Sequence, residues 1–165
     1  MFKLLFSVVC AIWVWSIGML PVTAQAGQYA PPLSFSNAEL AKQDFHGQTL
    51  QKAEFSNANL ESTNFSGADL TGAVLSTSIL LNTNLHAANL TQALVDQVRF
   101  VGTDLSDAIL VDSMMLRSEF TRVNITGADF TGALLNKYQV KQLCVYADGT
   151  NPTTGITTRD SLGCK

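Results

Sequence analysis

The chain has 165 residues, room for one domain with a moderate core; 47% are hydrophobic and only 14% charged. A formal charge of −3 with so few basic side chains offers no surface for nucleic acid, whose phosphates demand clustered Lys and Arg. No G-x-S-x-G, H-E-x-x-H or phosphate-cradling glycine loop occurs, so the common hydrolase, metalloprotease and nucleotide-binding signatures are excluded.

Residues 1–26, "MFKLLFSVVCAIWVWSIGMLPVTAQA", carry one basic residue, Lys3, then an uncharged run from Leu4 to Leu20. Pro21 and the small-residue site Ala24-Gln25-Ala26 follow, the layout of a secretory signal peptide cut after Ala26. The alternative is an uncleaved anchor, since a 17-residue run sits at the lower limit for spanning a bilayer. Cys10 lies mid-run behind Val9 and is a poor lipoprotein site. Cleavage leaves 9 basic and 13 acidic side chains and no stable membrane span.

Residues 27–34 are a short lead-in. From Phe35 to Leu135 a large apolar residue then stands at every fifth position, 21 in succession: seven Phe, eleven Leu, Val95, Met115 and Ile125. The residue two places earlier is Ala, Ser or Thr at 16 of the 21; Leu33, Gln43, Gln48, Val98 and Val123 depart. A period of five fits neither a helix nor a strand, and the recurrent Asn, Asp, Ser, Thr and Gly disfavour long helices. The pattern describes a stacked coil, with one large residue per repeat inward and a small one leaving room for the backbone to turn. No single turn of such a coil buries its apolar residue alone, so neighbours must stack around a shared core. "DQVRF", residues 96–100, departs most, and coil regularity is expected to be weakest there.

Residues 136–165 form the tail. Two cysteines of an exported chain, Cys144 and Cys164, bracket a segment rich in turn residues and read as one disulfide. The rival readings are two free thiols or half a metal site; no further cysteine remains after cleavage and neither histidine is near in sequence.

The repeats resemble the pentapeptide-repeat family. Its A-(N/D)-L-x-x pattern appears as Ala58-Asn59-Leu60, Ala68-Asp69-Leu70, Ala88-Asn89-Leu90 and Ala128-Asp129-Phe130, with Thr-led forms at Thr63-Asn64-Phe65 and Thr83-Asn84-Leu85. The resemblance implies an all-β right-handed quadrilateral β-helix with four repeats per coil, about five coils here and roughly 24 Å tall at strand spacing. The tail, "NKYQVKQLCVYADGTNPTTGITTRDSLGC", looks like the C-terminal cap of lumenal members from cyanobacteria and chloroplast thylakoids, which pair a short helix with a disulfide. A helix over 137–147 would bring Tyr138, Val140, Leu143 and Val145 onto the last coil, whose open end needs covering.

With four repeats per coil, residues 20 apart share a face. One outward column reads Ser34, Glu54, Val74, Leu94, Met114, Leu134, so four consecutive coils present apolar side chains where the pattern expects Asn or Asp. Ile79, Leu81 and Leu116 lie on neighbouring outward positions. Unless a terminal segment covers it, this ladder is a candidate surface for a protein partner or a homodimer. His46 and His86 fall on one column two coils, or roughly 9.6 Å, apart, too far for a shared metal. Asp69 and Asp129 are three coils apart with Asn89 and Ile109 between, too distant for paired acid–base work. Some cytoplasmic family members are similar to DNA in shape and act on type II topoisomerases, but Asp96, Asp104, Asp107 and Asp112 fall on different faces and export separates the chain from such targets. The expectation is therefore an exported, non-enzymatic binding or scaffold module of the thylakoid lumen or periplasm, without cofactor or catalytic residues. An accessory subunit of an enzyme complex is the alternative, and an unrecognised hydrolase the third reading.

Overall fold

A computed structural model describes residues 32–165. The expected signal segment, with Ala24, Ala26 and Cys10, and residues 27–31 of the lead-in lie outside the described residues.

The corner sets the local geometry. In the repeat at Phe65, the Phe65 carbonyl accepts the Ala68 N–H at 3.0 Å and closes a β-turn whose third residue, Gly67, has a φ of 63°. The same left-handed conformation recurs at every fifth position from Asn37 to Gly132, with φ between 51° and 71°. Only six of these twenty corners are glycine. At one of them, Gly132, a Cβ would displace the Asp112 carboxylate, the movable end of a side chain, so glycine there chiefly relieves the left-handed backbone. Elsewhere a residue with a Cβ holds the left-handed region at a cost on the order of 1–3 kcal/mol, which the surrounding stack must offset.

Hydrogen bonds between coils supply that offset. Each repeat sends three of them along the axis. Phe65 N donates to Asn84 O at 2.7 Å, Gly67 N to His86 O at 2.9 Å, and Asn84 N back to Thr63 O at 3.0 Å. Every such pairing spans about one 20-residue coil and runs parallel, as in Ser34↔Glu54↔Val74↔Leu94↔Met114↔Leu134. Four repeats therefore close each turn of a four-sided coil. Formal strands are few: β1 (Ile79–Leu81), β2 (Arg99–Val101) and β3 (Glu119–Thr121), paired in register 20 apart, with the remaining pairing among the described residues made of isolated bridges. Two extended residues between corners are too few for more. At the corner after Leu80 the turn bond is given up, and the Thr103 hydroxyl, one coil on, donates to the Leu80 carbonyl at 2.7 Å instead.

The core is the column of inward residues. Seventeen of the 21 are buried, and Phe35, Leu40, Phe45 and Leu135 at the two ends are partly so. Phe35 stacks on Phe55 at 5.0 Å, Phe45 on Phe65 at 5.1 Å and Phe100 on Phe120 at 5.2 Å, ring on ring at coil spacing. The irregularity expected at residues 96–100 is confined to the corner, and the coil keeps its 20-residue register. The Val98 N–H donates to the Ser118 hydroxyl at 3.0 Å, that hydroxyl donates to the Val95 carbonyl in place of the turn bond, and Arg99 N reaches Ser78 O only at 3.4 Å. Val98 is fully buried and in register because its neighbours in the small-residue column, Ser78 and Ser118, leave it room. Asp96 ties three coils there, accepting from the Ser76 hydroxyl, the Gln97 amide and the Arg117 guanidinium. Those bonds, the Ser76 hydroxyl first, hold its carboxyl below the usual carboxylate value.

The tail closes the last coil. Helix α1 (Lys137–Leu143) starts at a capping box in which Asn136 accepts from Tyr138 N and Gln139 N while the Gln139 side chain accepts from Asn136 N. The expected helix over 137–147 thus ends four residues early, and its buried face differs. Gln139 and Leu143, one turn apart, face the coil, whereas Tyr138 and Val145 are both 74% exposed. Gln139 is inward because its amide donates to the Met115 and Ser118 carbonyls at 2.8 Å each, acceptors that an apolar side chain could not answer. After α1 the chain crosses the open edge, where Gly127 N donates to Asp148 O at 2.8 Å. Asn151, fully buried, donates to the Gly127 and Asp107 carbonyls and accepts from Thr153 N and Thr154 N. A second helix, α2 (Thr158–Ser161), follows, and the Cys144–Cys164 disulfide joins the end of α1 to the residues beyond it.

Replacing Asn151 by Ala should destabilise the protein by about 1–3 kcal/mol in urea unfolding, since the buried Ala108 and Gly127 carbonyls lose their side-chain donor. Reductant should remove up to about 3 kcal/mol and lower the Tm. The β signal in circular dichroism should persist, because the repeat stack has its own core. The depressed pKa of Asp96 makes its contribution complete at neutral pH and lost as pH falls below about 3.8 through the folded value. Asp96→Asn should flatten that acid limb in a stability–pH titration.

Candidate partner-binding face

Alternation along each short extended segment places the large residue inward and the one before it outward. On two faces that outward residue is mainly Asn or Asp, and it works locally; a third face is mixed, with Glu39, Asn59, Ile79, Arg99 and Glu119. Asn64, Asp69, Asn89, Asp104, Asn124 and Asp129 each accept the N–H two residues on, steadying the corner. They also link neighbouring coils, as Asn64 donates to Asp44 at 3.0 Å and Asn124 to Asp104 at 3.1 Å.

The fourth face gives these bonds up. Val74, Leu94, Met114 and Leu134 lie in one ladder of parallel bridges, and hydrocarbon or thioether side chains steady no corner. Val74 is half-buried, while Leu94, Met114 and Leu134 expose 40%, 36% and 50% of their surface. The C-terminal tail does not cover them. Ile79 extends the apolar area on the next face and Leu116 on the adjoining corner, both exposed, whereas Leu81 is half-buried.

The titratable side chains are occupied individually. His46 Nδ1 lies 2.9 Å from Ser66 Oγ, and His86 Nδ1 2.9 Å from Ser106 Oγ and 4.0 Å from Asp107. Each histidine is tied to the coil below and the two do not converge. Asp69 and Asp129 are separated by Asn89 and Ile109 along their ladder. Burial opposes ionisation of Asp69, but bonds from Thr71 and Gln51 outweigh it and hold the carboxyl low. Asp96, Asp104, Asp107 and Asp112 form no common 20-residue column, although Asp107 and Asp112 share the corner position of successive repeats. Among the described residues, no three His, Cys, Asp or Glu side chains are grouped to hold a metal, and no helix is long and apolar enough to cross a membrane.

Gln139, Asn151 and α2 were not foreseen in the sequence. The pair Asn136 and Gln139 does carry the spacing of a capping box, a signal available before the structure. Asn151 carries only a local turn signal, accepting from Thr153 N and Thr154 N, while the carbonyls it answers lie 24 to 44 residues away.

Comparison with known proteins agrees with this architecture. The sequence model described as Pentapeptide repeats matches in eight copies, over residues 34–76, 68–107, 83–115 and 99–136. A crystal structure of a pentapeptide repeat protein from the thylakoid lumen of Arabidopsis thaliana superposes with a TM-score of 0.78 at 38% identity, covering 79% of this chain and 91% of that one. A Nostoc pentapeptide repeat protein, at 24% identity and a TM-score of 0.52, covers 62% of this chain and 84% of its own and shares the fold. Two curated Arabidopsis thaliana proteins, thylakoid lumenal protein TL20.3 and thylakoid lumenal 15 kDa protein 1, are 58% identical over 40 residues and 56% over 45. Those alignments cover 24% and 27% of this chain but only 14% and 20% of the two relatives' lengths. Carrying these repeats over more than half its length, the chain belongs to the pentapeptide-repeat family.

Proposed function

We propose that the protein is an exported, non-enzymatic binding or scaffold module of the thylakoid lumen, a right-handed quadrilateral β-helix that docks a protein partner on its apolar ladder. The lumenal names of its relatives support that compartment over the periplasm. The observation that carries the reading is the ladder itself. Leu94, Met114 and Leu134 stand open to water on a face that forgoes the corner bonds made by Asn and Asp elsewhere. Contiguous apolar surface of this kind on a rigid wall is what a protein interface requires. A non-enzymatic role is supported by how the polar groups are used. Histidines are tied to serines, and the outward carboxylates of Asp69, Asp104 and Asp129 accept backbone N–H groups.

Leu94→Glu combined with Met114→Glu should leave the circular-dichroism spectrum unchanged and shift stability by no more than about 1 kcal/mol, because both side chains point outward. The same variant should lose the partner that tagged wild type retains in a cross-linked pull-down from a lumenal extract. In parallel, light scattering of the purified protein distinguishes a second copy from a different partner. Equal recovery by wild type and variant would remove the ladder as the working face.

A further inference from the structure

We propose that the groove between α1 and the C-terminal tail is a second docking site, separate from the ladder, for an extended acidic–apolar peptide segment of a partner protein. The groove holds about 440 Å³ and is open to solvent. Its floor is Leu135, Val140 and the Cys144–Cys164 disulfide, all only partly buried. Lys137, Lys141 and Lys165 also line it, and all three are exposed.

Three features point to an external anion. First, the ion pairs among the described residues use His86, Arg99 and Arg117 and none of these lysines. Second, Lys137 and Lys141 stand one helical turn apart, where like charges repel. Third, the first turn of α1 contains no acidic residue to balance Lys137, and a cation there opposes the helix dipole. Local stability therefore argues against Lys137, whereas Lys141 in the last turn suits the helix dipole; a carboxylate supplied from outside relieves the repulsion between the two. On a chain with net negative charge, the patch is a local reversal of sign.

The shape selects the occupant. An open groove leaves most of a hydrocarbon tail wet, so it suits a lipid poorly. An extended peptide fits better. Lys137 and Lys141 are separated by about 6 Å along the helix axis, and alternate residues of a strand repeat at about 6.6 Å. Two carboxylates two residues apart therefore meet the two ammonium groups, and an apolar neighbour contacts the floor.

The test is fluorescence anisotropy with a labelled, end-blocked hexapeptide of alternating glutamate and leucine, using the protein with its disulfide intact. Wild type should bind it saturably, and Lys137→Glu with Lys141→Glu should weaken binding by at least about tenfold. A lysine–leucine hexapeptide should bind that variant in its place. Lys137→Gln with Lys141→Gln, which removes the helical repulsion and so secures folding, should also weaken binding to the acidic peptide. The ladder variant Leu94→Glu with Met114→Glu should bind like wild type, which keeps this result independent of the ladder. No saturable binding at about 1 mM peptide overturns the proposal, as does equal binding by the charge-reversed protein. Equal binding of a glutamate–serine peptide would show charge attraction without the groove. Displacement by decanoate at lower concentration than peptide would reassign the site to a lipid. Either result sinks the proposal.

Discussion

The structure depends on one constraint: a chain that turns a corner every five residues has only two extended residues with which to bond its neighbours. Too short to form strands of its own, each repeat is held by the coils above and below it. The left-handed corners from Asn37 to Gly132 are individually unfavourable wherever a Cβ is present, and they persist because three inter-coil bonds per repeat and an inward Phe or Leu hold them. Stability is therefore a property of the stack, with no repeat independent of the next. The side chains facing outward are consequently set on a rigid lattice, 20 residues to the coil.

A stack of this kind has ends, and the C-terminal one is closed with polar rather than apolar chemistry. The last coil exposes carbonyls as well as hydrocarbon, so a purely apolar lid would bury unsatisfied acceptors. Gln139 answers Met115 and Ser118, Gln142 answers Phe120, and Asn151 answers Asp107 and Gly127, while Leu143 covers the core beneath. The disulfide then ties α1 to α2 and holds the amide groups in place. The same closure creates the lysine-lined groove, because it brings the end of the chain beside α1.

The lattice also makes departures from the repeat informative. Where Asn or Asp occupies the outward position it braces a corner; where Val74, Leu94, Met114 and Leu134 occupy it, that local gain is absent and apolar surface is presented instead. Lys137 and Lys141 are a departure of the same kind on a helix, two like charges one turn apart without a carboxylate to join them. Both features lie on rigid surfaces, one on a coil face and one on the cap, so docking at either requires little ordering of the backbone.

How much of this was legible beforehand follows from the range of the interactions. The inward column from Phe35 to Leu135, the 20-residue faces, the apolar ladder and the Cys144–Cys164 pair could be read from spacing, composition and family resemblance, because a periodic fold repeats its local rule. The irregularity expected at residues 96–100 is limited to a lost turn bond, and the coil stays in register there. Tolerance of Val98 depends on Ser78 and Ser118, each a full coil away. Tyr138 and Val145 were expected to pack and do not, because the last coil's demand for hydrogen-bond donors outranks apolar periodicity and turns Gln139 inward. Period and side-chain type by themselves determined the coil and what each face displays. Only the tertiary structure decided how the stack ends, since the unpaired carbonyls that choose Gln139 and Asn151 exist only once five coils have closed.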